Sequence, residues 1–163
     1  MAQASGSQAV RARWRDELGL HCRAGFLRSP SYLCALAAGP AFLLLLDAGW
    51  PGLRAGAPAA PLAVLSLVLW QPIIEELLFR GVVQGQLLST AHGRREAAGL
   101  SVANALSSLL FMGAHLIHHP PAWAAAILVP SLVFGYFRER EGSLLPPLLL
   151  HVSYNACYFL WPL

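Results

Sequence analysis

Five apolar runs, at roughly 31–49, 62–88, 98–117, 121–137 and 144–161, constrain this chain more than any other feature. A helix needs about 20 residues to cross about 30 Å of hydrocarbon, and only the 121–137 run sits at the short end of that range. The linkers between the runs, "PGLRAGAPAAP", "TAHGRRE", "HHPP" and "RERE", are short and either turn-prone or charged. Charged residues make up 12% of the 163 positions, half of the roughly 25% usual in soluble domains. Lipid is therefore the main solvent. The expected architecture is all-α, a polytopic transmembrane helix bundle of about five spans. Residues 31–163 form one membrane-embedded core, and 1–30 a basic cytoplasmic lead. In that lead Val10, Trp14, Leu18 and Cys22 recur every four residues between arginines, the pattern of an interfacial helix, with a disordered basic lead as the alternative.

The arginines set the expected orientation. Arg11, Arg13, Arg15, Arg23 and Arg28 precede the first run, Arg94 and Arg95 separate the second and third, and Arg138 and Arg140 the fourth and fifth. Nine of eleven basic residues thus fall on one side, with Arg54 opposite and Arg80 inside a run. By the positive-inside rule the N-terminus is cytoplasmic and the C-terminus, after five crossings, is outside. The same placement makes the bilayer, and not nucleic acid, the partner of this basic chain. An all-arginine basic set with many Ala and Leu residues fits a GC-rich bacterial genome, hence a bacterial inner membrane. The cysteines Cys22, Cys34 and Cys157 form no close-spaced pair and read as free thiols.

Ionisable groups at membrane depth are costly, about 2.5–3.5 kcal/mol each on insertion scales, and are functional candidates by default. The second run holds Glu75, Glu76 and Arg80. Glu76 and Arg80, at i and i+4, share a helix face as an ion pair; Glu75 points about 100° away and has no partner on its own helix. The third run ends in "FMGAH", with Phe111 and His115 on one face, and the fifth contains "HVSYN", with His151 and Asn155 on one face. A lone intramembrane His or Asn is often a helix–helix hydrogen bond. Together, however, a carboxylate, two imidazoles and an amide can activate water and donate to a developing oxyanion.

Rival chemistries have less support. H-E-x-x-H is absent, and only His115 and His151 are well placed as zinc ligands, so neither a metal nor another cofactor is expected. His118 and His119 read as a solvated turn. Ser131, Ser153 and Cys157 lack a base on their own helix face and read as packing residues.

The three patterns E-E-x-x-x-R, F-x-x-x-H and H-x-x-x-N, in that order within apolar runs, resemble the motifs of the CAAX protease and bacteriocin-processing family. These are glutamic intramembrane proteases, and the resemblance covers roughly residues 62–161. It implies that Glu75 and His115 activate water and that His151 and Asn155 form the oxyanion hole. Glu76, Arg80 and Phe111 become supporting residues. The implied function is an intramembrane endopeptidase acting on a peptide or membrane-anchored protein, in peptide maturation or C-terminal sorting-signal processing. The alternative is a non-catalytic immunity or scaffold protein that binds a membrane partner with the same cluster. The sequence sets neither the substrate nor the oligomeric state.

Convergence of the four side chains imposes a geometric condition. Glu75 lies roughly 20 Å from Leu88 along its helix, whereas His115 would lie roughly 26 Å from a helix start at residue 98. The third helix must therefore begin later, near Asn104, or tilt strongly.

Overall fold

Pro30 opens the first long helix, α1 (Pro30–Gly49), and its fixed φ suits that initiating position. The structure, a computed structural model, describes residues 14–21, 24–49 and 60–160. Four further helices follow: α2 (Pro61–Leu88), α3 (Val102–His115), α4 (Pro121–Glu141) and α5 (Leu145–Leu160). Helices stand where all five apolar runs were expected. Three of them, α1, α2 and α4, are long and apolar enough to cross a membrane. The other two are shorter, at 14 residues for α3 and 16 for α5. The apolar helices place the chain in a membrane.

The third span is the main boundary correction. Residues 98–101 are not helical: Glu96–Ala97 and Leu100–Ser101 form a two-residue antiparallel hairpin. Its turn places Ala98 and Gly99 at φ 53 and 77, in the left-handed region that a helix cannot use. Ser101 then caps α3, its Oγ accepting from Asn104 N at 2.9 Å, which satisfies one of the four free N–H groups of the first turn. The later start that convergence required is supplied by this cap. A second correction concerns "RERE". It is the last turn of α4 and not a loop, and it ends at Gly142, whose φ of 60 gives the left-handed C-terminal cap.

Helix α2 is continuous but widened to i→i+5 spacing over Ser66–Trp70 and Leu77–Gln84. Around the first widened stretch, Gln71 N–H bonds Ser66 O and Pro72 has no N–H to give. The Leu67 carbonyl thus has no donor in either the α or the widened register. It takes one from Asn155 Nδ2 at 2.8 Å, tying α5 to α2.

A buried polar network fastens the helices at the end where α2 and α4 finish. One oxygen of Glu139 accepts from Gln84 Nε2 at 2.7 Å and from Ser101 Oγ at 2.6 Å, joining α2, α3 and α4. Asn104 on α3 donates to Leu132 O at 3.0 Å, with its amide against Gly135, where a Cβ would not fit. An aromatic core of Phe26, Tyr32, Phe134 and Phe137, closed by Leu150, packs α1, α4 and α5 together.

Of the expected interfacial helix, 14–18 is helical, while Val10 and Cys22 lie outside the described residues. Trp14 is exposed and Leu18 lies over Gly81. Gly85 is required here, because a Cβ on it would collide with Glu17 O. Arg138 is only 4% exposed and donates from Nη2 to Glu17 O at 2.7 Å and from Nε to Arg80 O at 3.2 Å. With Leu144 N bonding Gly19 O at 2.9 Å, these contacts bind the segment to the core.

Candidate active site

The widened stretches of α2 bracket the α-helical turn Gln71–Glu76. Interruptions of this kind recur at functional sites because they re-aim side chains. Within that turn the two adjacent glutamates separate as the helix geometry requires. Glu76 is 1% exposed, with Oε1 lying 3.4 Å from Arg80 Nη1. Glu75 is 18% exposed at its side chain and faces a cavity.

Arg80 is fully buried, and its guanidinium is held from four directions. Nη2 donates to Ser131 O at 2.9 Å and to Ser131 Oγ at 2.8 Å. The Phe111 and Phe134 rings lie 4.6 and 5.5 Å from its Cζ, within the reach of cation–π attraction. The expected Glu76–Arg80 pair is present, and it is anchored to α4 as well as within α2.

His151 has a position that the sequence did not indicate. Its Nδ1 lies 2.8 Å from Glu76 Oε1, and its Nε2 lies 3.5 Å from Glu75 Oε2. One imidazole from α5 thus bridges the two glutamates of α2. The ring stacks on Phe134 at 5.0 Å and meets the Phe111 ring edge-on at 5.9 Å. An ionised Glu76 can only accept, so it fixes the hydrogen on Nδ1.

His115 closes α3 and is oriented by its own helix. Its Nδ1 lies 2.8 Å from Phe111 O. A carbonyl accepts only, so Nδ1 carries the hydrogen and Nε2 keeps a lone pair able to take a proton. Among the described contacts, Glu75 pairs with His151 and His115 with Phe111. The four expected site residues, Glu75, His115, His151 and Asn155, line one cavity of about 650 Å³. Phe42, Leu46, Ile127, Trp123 and Phe159 supply much of its apolar wall.

His118 and His119 are exposed, as a solvated turn would be, but they also line the cavity. The His119 ring stacks on His115 at 5.8 Å. Burial, and then the neighbouring His115 and His118, hold the His119 pKa below its ordinary value. Among the described residues, no three His, Cys, Asp or Glu side chains group as ligands for a metal ion. The sequence reading also missed Phe134 and Gln71, and took Ser131 for a packing residue although it accepts from Arg80 Nη2. Of these only Gln71 carried a signal, being a polar residue one turn before Glu75 inside an apolar run.

A family model described as type II CAAX prenyl endopeptidase Rce1-like matches residues 57–157, a range that includes Glu75, Glu76, Arg80, Phe111, His115, His151 and Asn155. An uncharacterized 24.3 kDa protein of Escherichia coli is 30% identical over 96 residues, 59% of this chain. The match spans 42% of that protein's length. No solved structure matches.

Proposed function

Because this chain belongs to the Rce1-like family of type II CAAX prenyl endopeptidases, we propose that it is an intramembrane endopeptidase whose nucleophile is a water activated by Glu75 and His115. The observation that carries this reading is the shared cavity. Glu75, His115, His151 and Asn155 line one space, while Glu76 and Arg80 lie buried behind it.

The water gives its proton to Glu75 or to the free Nε2 of His115 and attacks the peptide carbonyl. The tetrahedral oxyanion accepts from Asn155, which has a second amide hydrogen beyond the one given to Leu67 O. It also accepts from His151 Nε2 when both ring nitrogens carry hydrogen. Collapse passes the proton to the leaving amine, and the products are a carboxylate and an amine. Glu76 and Arg80 hold the helix and the His151 ring in register. The N-terminus is cytoplasmic, in a bacterial inner membrane, and the substrate is a leader peptide or a membrane-anchored C-terminus.

The test uses protein in lipid nanodiscs with two internally quenched peptides, one ending in a prenylated CAAX box and one carrying a single apolar span. Cleavage of either by the wild type, abolished in a normally folded His115→Ala variant, supports the reading. Undiminished cleavage by His115→Ala, or none by the wild type, refutes it.

A further inference from the structure

The cavity's polar side chains differ in what they have left to offer. Asn155 gives one amide hydrogen to Leu67 O, and the Tyr154 hydroxyl donates to Ala35 O. Both His151 nitrogens face carboxylates, and His115 Nδ1 is bound to Phe111 O. Gln71 stands apart. It is exposed, lines the same cavity, and among the described residues its carboxamide has no hydrogen-bond partner. An amide unpartnered at membrane depth is costly unless something occupies it. Both its oxygen and its nitrogen are available, which matches the donor–acceptor pair of a peptide unit.

Its register says which peptide unit. Gln71 and Glu75 are i and i+4 on one face of the same α-helical turn. At about 1.5 Å of rise per residue they are about 6 Å apart along the helix axis. An extended chain advances about 3.3 Å per residue, so about 6 Å is two residues. We infer that Gln71 is a substrate-binding residue that hydrogen-bonds the backbone of an extended substrate about two residues from the bond cleaved. This inference rests on the proteolytic reading of the site. It makes the enzyme select for a substrate stretch unwound at that point, because a helical segment has its amides already paired.

The test compares wild type and Gln71→Leu in nanodiscs on the quenched single-span peptide. Two analogues of that peptide carry an ester in place of the second amide on one side or the other of the cleaved bond. Removing an interaction of this kind should lower kcat/KM roughly three- to tenfold, mostly through KM. Gln71→Leu should show that loss with an unchanged melting temperature. One of the ester analogues should slow the wild type by a similar factor while leaving Gln71→Leu unaffected. If Gln71→Leu cleaves as well as the wild type, or if the ester slows both proteins equally, the inference is wrong and the proteolytic reading stands. If the wild type cleaves none of the peptides, both fall together.

Discussion

Replacing Arg80 with methionine removes the guanidinium beside Glu76 while keeping an unbranched side chain that reaches about as far as Nε. Three losses follow. Glu76, 1% exposed, loses the cation 3.4 Å away. Ser131 loses two hydrogen bonds from Nη2, at 2.9 and 2.8 Å. The Phe111 and Phe134 rings lose the cation between them. Breaking a buried pair from one side typically costs about 3–5 kcal/mol because the remaining charge is stranded. For a chain of this size that corresponds to a melting temperature lowered by roughly 6–20 °C. Glu76→Gln should cost less, since a glutamine oxygen still accepts from His151 Nδ1. The double variant Glu76→Gln/Arg80→Met strands no charge. It should therefore be more stable than the sum of the single effects by about 0.5–3 kcal/mol. Tryptophan-fluorescence melting of the four proteins in nanodiscs measures all three differences. Additivity within about 0.5 kcal/mol would show that the two residues do not act as a pair.

The His119 pKa is lowered from 6.5, so below that pH the unfolded chain binds more protons than the folded one. Stability should decline as pH falls from about 6.5 toward the lowered value and be unaffected above it. His119→Gln should flatten that decline in melting temperature, and an unchanged slope would refute the assignment. Gly85→Val places a side chain against Glu17 O and should release the 14–21 segment, seen as several-fold faster trypsin cleavage after Arg15; an unchanged rate would contradict the docking. Peptidase activity should survive chelation and dialysis. Loss restored by zinc alone would make Glu75, His115 and His151 a metal triad.

Helix positions were legible because apolar length alone specifies them, and α2 begins and ends within one residue of its run. The Glu76–Arg80 pair was legible too, because i,i+4 geometry lies within one helix. What escaped was contact between helices. His151 and Glu76 are 75 positions apart, and no periodicity places an imidazole between two glutamates of another helix. The Leu67–Asn155 bond required knowing that α2 widens, although Pro72 announces that a carbonyl before it would need a partner. Arg138 was read by its charge as a loop residue. It lies in a helix and is buried, because its long stem lets the guanidinium reach Glu17 O and Arg80 O.

The claim on which the account turns is that Glu75 makes water nucleophilic, and Glu75→Gln tests it most directly, keeping the shape and removing the base. Single-turnover cleavage of the better quenched peptide should be measured for both proteins in nanodiscs, with melting curves recorded on the same samples. The account predicts a fold retained and a cleavage rate lowered by about 10²–10⁴, the usual contribution of a positioned general base. A Glu75→Gln protein that cleaves within about threefold of the wild-type rate, less than 1 kcal/mol of barrier, would contradict it.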